Sequence, residues 1–445
     1  MYSIDVFGAF DFLSDEILIG SLDYERVKGS SSYRFRYDKG FLERFPQLSL
    51  SADLGRFLGI QASKDCIFSF LGDTLPDRWG RALLDKKERL EAKESGRLPR
   101  KFDDFGYLIR IDDELRMGAL RFKYNGEYLG VSNGGTRVPL IEQLDTFIRE
   151  AQMFEEAEHS EGALHEQRLV DIWKPGSSLG GARPKLNVLD EDGELWIAKI
   201  PSIKDSYDVA LWEHFSLLLA KSAGINVADS VLLRIGPTSY HTLLSKRFDR
   251  VKTRRIHFAS SLTLTGLHDG DNATNDKGYI DIIDAMSGDM GIRSLEAAIV
   301  ELYRRVAYNI LIGNHDDHFR NHGFLLRQDG WELCPAYDIN PSIEITQTLA
   351  VTPYSNNPSI RELFDSCEFY LIRPNMAEEI IREVCSAVVE WRKIAKQIGI
   401  TEIEQRRFAK RIDWSLAEAK ELFPEKRMLR FPLTFTMGPK KGRGR

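Results

Sequence analysis

Apolar residues recur at helical spacing along Leu295, Ile299, Leu302, Val306 and Ile310, and Gly313 follows as a stop, so this stretch predicts a buried helix. Directly beyond it the period changes. Gly323 to Gln328 and Trp331 to Cys334 read as short strands, with Asp329-Gly330 between them as a type I′ turn signal. In that hairpin Gln328 faces Trp331, and counting outward sets Asn321 opposite Asp338, roughly 5 Å apart at their Cβ atoms. Upstream, Lys185 to Leu189 and Leu195 to Lys199 form a strand pair around Asp192-Gly193, followed by a helix from Val209 to Ala223 that Gly224 ends. The first 140 residues mix strands (Met1 to Arg26, Tyr33 to Tyr37, a pair within Leu115 to Tyr124) with a charged helix from Asp77 to Arg97. Past residue 290 helices dominate: Asn375 with Glu378 and Thr401 with Glu404 predict capping boxes. Val384, Val388, Trp391 and Ile394 predict a core stripe.

The chemistry concentrates in the loop after the first of these helices. Gly313-Asn314-His315-Asp316-Asp317-His318-Phe319-Arg320-Asn321 holds an Asp and an Asn five residues apart, and the hairpin returns a second Asp at Tyr337-Asp338. ATP-dependent phosphoryl transfer needs one carboxylate to orient the attacking hydroxyl, with an amide and a carboxylate to hold Mg²⁺. The same offset occurs in the protein-kinase catalytic loop. Two other readings are open at this point: a solvated Asp-rich turn, and a metal hydrolase using His315, Asp316 and His318, with His322 nearby. Gly176 to Lys185 pairs glycines with serines and can turn backbone N–H groups inward as an anion nest. Lys199 ends a buried strand and needs an anion, either a nucleotide phosphate or Glu213 on the next helix.

The order of these pieces predicts an α+β chain with a two-lobed, protein-kinase-like fold, the small lobe strand-rich and the large lobe mainly helical. An additional α/β subdomain precedes them. The expected divisions are 1–145, 146–250, 251–435 and a basic disordered tail over 436–445, with Glu155 to Glu166 as an acidic linker or exposed helix. A net charge of −6 argues against a surface devoted to nucleic acid. Lys440 to Arg445 and the cluster Arg247, Arg250, Lys252, Arg254 and Arg255 are the basic exceptions. Cys66, Cys334, Cys367 and Cys385 lack metal spacing and read as reduced thiols. No apolar run nears about 18 residues, so a cytoplasmic protein without membrane contact is expected.

Ser177 to Lys185, Lys246-Arg247-Phe248-Asp249-Arg250, Asn314 to Asn321 and Pro335 to Asp338 together resemble the HipA-type serine/threonine kinase toxins. Phe70-Leu71-Gly72-Asp73-Thr74-Leu75-Pro76-Asp77-Arg78-Trp79-Gly80 is similar to the N-terminal subdomain of that family. The resemblance implies ATP and Mg²⁺ as cofactors, Asp316 as the catalytic Asp, and Asn321 and Asp338 as metal ligands. It implies nucleotide contacts from Gly180, Gly181, Ala182, Arg183, Pro184, Lys185, Lys199, His318, Phe319, Arg320 and Tyr337. Lys246, Arg247 and Phe248 would form the adenine-binding hinge. Ser178 matches the family's autophosphorylated serine, with Ser177 as second choice. A helix-turn-helix HipB-like antitoxin, operator DNA reached through it, and a protein substrate such as an aminoacyl-tRNA synthetase are the implied partners. A co-repressor without catalysis is the further alternative. Arg255 to Ser261 stands where many members carry a Gln-Glu-Asp element, a departure that bears on the substrate.

Overall fold

Alternating side chains explain the first sheet. Tyr33, Phe35 and Tyr37 point inward at every second position, and their rings meet Phe41 and Phe70 at centroid separations of 5.8 Å (Tyr37–Phe41) and 5.2 Å (Phe35–Phe70). The computed structural model describes residues 1–131, 138–157, 183–236 and 239–424. Among them, β1 (Tyr2–Gly8), β2 (Ile17–Val27), β3 (Ser30–Tyr37), β4 (Gln61–Lys64), β5 (Leu120–Tyr124) and β6 (Glu127–Tyr128) form an antiparallel sheet ordered β4-β3-β2-β1-β5-β6. The expected strand pair within Leu115 to Tyr124 reduces to β5 alone. Gly118 turns the chain at φ 75°, where a Cβ would come within 3.0 Å of the Phe258 nitrogen.

A second sheet, ordered β7-β8-β10-β9, contains β7 (Lys185–Leu189), β8 (Leu195–Lys199), β9 (Ser230–Leu233) and β10 (Thr242–Lys246). Lys185 pairs with Lys199 across the β7–β8 ladder, as the turn signal predicts. Trp79 and Leu83, from the helix Arg78–Glu94, pack under this sheet with Leu144, Phe147 and Ile148 of the helix Leu144–Ala157. That second helix takes up the start of the acidic stretch, and Glu155 is buried, accepting from Ser202 Oγ at 2.6 Å and Ile203 N at 2.9 Å. The remainder of that stretch and the basic tail lie outside the described residues.

Beyond the short hairpin of β11 (Arg250–Val251) and β12 (Arg254–Arg255), the helix Leu295–Ile312 runs through the core. Helices Ile360–Asp365, Pro374–Val388 and Glu402–Leu422 surround it. Thr401 and Glu404 form the expected capping box. Asn375 does not: Pro374 occupies the first turn and starts the helix earlier, since its fixed φ already suits that position. Val384, Val388, Trp391 and Ile394 are buried.

The third sheet, β13 (Phe258–Ser260), β14 (Gly323–Arg327) and β15 (Gly330–Leu333), corrects the predicted register. Arg327 pairs with Gly330 and Leu326 with Trp331, so the turn centres on Gln328-Asp329 and the ladder closes at Gly323. Gly330 lies in the strand because Gly291 O passes where its Cβ would be, at 2.3 Å, as Trp331 N donates to Gly291 O. Asn321 and Asp338 are therefore not ladder partners.

Arg247, Asp249 and Arg250 lock the first sheet to the second. Arg247 donates to Leu115 O, Arg116 O and Asn187 Oδ1, and Arg250 to Gly118 O and Arg116 O. Asp249 Oδ2 accepts from both guanidiniums at 2.6 Å and from Gly118 N at 2.8 Å. Burial alone would raise this carboxyl, but the two cations hold it at about 2. Arg255 is also buried, on Asp113 at 2.8 Å, so much of the expected basic cluster is neutralised. All four cysteines are free, and Cys66 alone is exposed. No helix among the described residues is long and apolar enough to cross a membrane.

Asp249→Ala leaves two buried guanidiniums without their carboxylate and is expected to cost about 3–5 kcal/mol in denaturant unfolding. Because the folded carboxyl is depressed, its contribution is complete above about pH 4 and is lost as pH falls toward 2. The variant's stability deficit relative to wild type is expected to shrink over that window.

Candidate active site

Lys199 is the place to begin, because an ammonium largely withdrawn from water must find anions. Its Nζ lies 2.6 Å from Glu213 Oε1 and 2.7 Å from Asp338 Oδ1. Glu213 sits on the helix Val209–Ser222, which places it beside the end of β8. Burial lowers the affinity of Lys199 for its proton, but the two carboxylates more than reverse this and raise it above the ordinary lysine range. Burial would raise the Asp338 carboxyl too, yet Lys199, with Lys185 and His318, holds it at about 2. At Glu213 burial prevails, and the carboxyl is raised.

Asp338 adopts φ 55°, a left-handed backbone that a non-glycine residue enters only at a cost. It follows Tyr337, whose hydroxyl donates to Arg320 O and ties this segment to the catalytic loop. Asn340 N adds a second tie, to Asn314 Oδ1 at 3.3 Å. Within the loop, Asn321 Nδ2 donates to Asp316 O at 3.0 Å. Asn321 Oδ1 is buried and accepts no hydrogen bond, and Asp338 Oδ2 also takes none among the described residues. Two hard, uncommitted oxygens on facing segments fit a magnesium ion. Asp316 is exposed to solvent, and its carboxyl is raised by partial loss of hydration and by Asp338, against the opposing pull of His318.

Other expected residues take different parts. Lys185 pairs with Asp77 at 3.0 Å, and Arg183 with Asp205 at 2.7 Å. The Pro184 carbonyl accepts from Ile200 N. Arg247 is committed to the lock described above, and the Lys246 side chain pairs with Glu194 at 3.2 Å. Phe248 and Tyr337 place their rings 5.5 Å apart over the small cluster of Met117, Ile256, Phe258, Leu325 and Cys334, an apolar floor beside the hinge. Phe319 is buried, with its carbonyl accepting from Ser261 Oγ at 2.6 Å. The Arg320 side chain turns to Asp269 at 3.2 Å and Asp73 at 3.7 Å. His318 is half-buried, and its Nδ1 has no partner. Ser177, Ser178, Gly180, Gly181 and Ala182 lie outside the described residues.

The hydrolase reading finds no metal cluster: among the described residues no three His, Cys, Asp or Glu side chains are placed to share an ion. His315 Nδ1 is engaged by Thr346 O, and His322 Nε2 faces Asp317 Oδ2 at 2.9 Å. Asp317 is the anchor that sequence reasoning passed over. It is buried and also accepts from Tyr279 OH at 2.6 Å and Asn309 Nδ2 at 2.7 Å. Asn309, set among Val306, Ala307, Ile310, Leu311 and Ile312 at the buried end of its helix, is the available signal.

Two family models match this chain in order, the HipA N-terminal domain over residues 11–123 and the HipA-like C-terminal domain over residues 177–392. The serine/threonine-protein kinase toxin HipA of Shewanella oneidensis is 28% identical over 195 residues, 38% of this chain and 45% of the relative. The putative kinase Y4dM of Sinorhizobium fredii is 25% identical over 214 residues, 44% of this chain and 50% of the relative. The chain thus spans about half the length of the curated relatives it matches. Shewanella oneidensis HipA, solved with HipB and operator DNA, superposes with a TM-score of 0.64 at 19% identity, over 91% of this chain and 95% of that one. The two-lobed arrangement is a kinase-like fold, and with both HipA domains present in sequence order the chain belongs to the HipA family.

Proposed function

We propose that this chain is an ATP- and Mg²⁺-dependent kinase that phosphorylates a serine or threonine of a protein. The observation that carries the proposal is Lys199 held between Glu213 and Asp338. Kinase chemistry requires a strand lysine oriented by a helix glutamate, next to a metal-binding aspartate. Asn321 Oδ1 and Asp338 would hold the magnesium ion, which neutralises charge on the phosphates. Lys199 would release Asp338 to the metal and take the α- and β-phosphates. The Phe248 N–H makes no hydrogen bond among the described residues, which leaves it for the adenine, above the Tyr337 floor. Asp316 would accept the proton of the acceptor hydroxyl as its oxygen bonds the γ-phosphorus. The bond from that phosphorus to the bridging oxygen breaks, and ADP leaves.

The family and its Shewanella relative support the role of toxin in a toxin–antitoxin pair. The structural neighbour was solved with HipB and operator DNA, which supports a helix-turn-helix antitoxin as partner and DNA contact through it. Ser178, or Ser177 as second choice, is the proposed autophosphorylation site, since a phosphoserine's charge is incompatible with ATP phosphates in one nest. An aminoacyl-tRNA synthetase is the proposed class of substrate, on the family resemblance.

Incubation with γ-labelled ATP, then mapping of label on this chain and on lysate proteins, tests the reading; no transfer would refute it. Asp316→Ala is expected to lower the transfer rate by at least about 10³-fold while MgATP affinity stays within about threefold. Asp338→Ala is expected to remove the magnesium dependence of nucleotide binding, read by titration with and without the metal. The raised Asp316 carboxyl must be ionised to accept a proton. The acid limb of the rate profile is therefore expected above the ordinary aspartate value of about 3.9, and absent from the residual rate of Asp316→Ala.

A further inference from the structure

One short turn of the N-terminal subdomain touches both the sheet that carries Lys199 and the support of the loop that carries Asp316, the two walls of the proposed nucleotide cleft. It joins the helix Ser69–Gly72 to the helix Arg78–Glu94, and Asp73 and Asp77 stand at its two ends. Asp73 faces the catalytic loop. Its Oδ2 accepts from Ser260 N at 2.6 Å and Thr263 Oγ1 at 2.8 Å, and its Oδ1 from Ser260 Oγ at 2.7 Å. Ser260 caps the helix Ser261–Thr265, and Ser261 in turn donates from Oγ to Phe319 O at 2.6 Å and from N to His322 O at 2.7 Å. Arg320 Nη1 approaches Asp73 directly, at 3.7 Å. The residues around Asn321 are thus seated on a helix start that Asp73 holds.

Asp77 faces the other wall. It caps its own helix through Gly80 N at 2.8 Å, and its Oδ2 lies 3.0 Å from Lys185 Nζ, with the two side chains 7% and 5% exposed. Lys185 is the ladder partner of Lys199 and begins β7 directly after the glycine-rich segment. Its positive charge also helps to depress the Asp338 carboxyl. Two residues along, Trp79 enters the apolar layer under the same sheet. Capping alone does not call for aspartate, since Asn caps equally well. What Asp77 adds is a charge buried against Lys185, a pair that costs desolvation and is sensitive to loss of either member.

We infer that Asp73 and Asp77 are positioning residues that keep the nucleotide wall and the acceptor wall of the cleft in register. The inference rests on the kinase reading. In-line transfer depends on the separation between Lys199 on one wall and Asp316 on the other, and a misplacement of about 1 Å can cost about 10²-fold in rate. A turn that grips both walls sets this separation from outside the cleft, touching neither nucleotide nor acceptor.

The test compares Asp73→Asn, Asp77→Asn and Asp77→Glu with wild type in the full chain, measuring self-labelling from γ-labelled ATP against MgATP concentration, with a melting curve for each. Both Asn variants keep an acceptor oxygen and, at residue 77, the cap. Their maximal rates are expected to fall about tenfold or more, half-saturating MgATP to change by less than about threefold, and Asp77→Glu to recover most of the rate. Wild-type maximal rates in both Asn variants overturn the inference. So does a rate loss that tracks a melting temperature lowered by more than about ten degrees without recovery in Asp77→Glu, since that assigns a purely structural role. A wild-type chain that transfers no label overturns the kinase reading itself, a separate result in the same assay.

Discussion

The lysine shared by two carboxylates sets the terms for the rest of the molecule. Lys199 lies on the four-stranded sheet, Glu213 on the helix that follows it, and Asp338 on the segment after the β14–β15 hairpin. A single ammonium therefore joins three elements that are distant in the chain. The arrangement is asymmetric. Asp338 stays ionised well below the ordinary range beside Lys199, whereas burial and the neighbouring Asp338 charge raise Glu213.

The walls could not stay near each other on that contact alone. A mostly buried ion pair gives up hydration for its attraction and adds little net stability, so larger forces must hold the lobes. They are found in the N-terminal subdomain, whose apolar residues run into one continuous core with the helices beyond residue 290. Trp79 and Leu83 leave that core to join the layer beneath the second sheet. The buried Arg247-Asp249-Arg250 lock fastens the same subdomain at the hinge, through the carbonyls of Leu115, Arg116 and Gly118. Residues that look like a nucleotide-binding hinge in the sequence thus hold two sheets together, and the Arg247 side chain is committed to that contact.

Local signals were legible and longer-range ones were not. The helix of Leu295 to Ile312, the β7–β8 ladder with Lys199 opposite Lys185, and the Thr401–Glu404 box all follow from spacing and turn chemistry within a short window. The β14–β15 register failed because Gly330 serves a neighbouring segment, Gly291 to Arg293, whose approach no local pattern announces. Asp317 was missed for the same reason: its partners Tyr279 and Asn309 come from two other helices. The Asp77 partner of Lys185 is not legible locally, because it lies about a hundred residues upstream.

What separates this site from an ordinary charged surface is that several unfavourable features meet in one place. Asp338 has a left-handed backbone, Asn321 Oδ1 is buried without a donor, and His318 Nδ1 is likewise unpartnered. Each is a cost that folding could avoid: a glycine at residue 338, or an apolar side chain at residue 321, would relieve it. These three fall within the two segments joined by the Tyr337–Arg320 hydrogen bond. The free oxygens of Asn321 and Asp338 suit the magnesium ion of the proposed kinase reading. Asp316 is the residue of this loop left facing solvent, which suits its proposed part of meeting an acceptor hydroxyl that comes from outside.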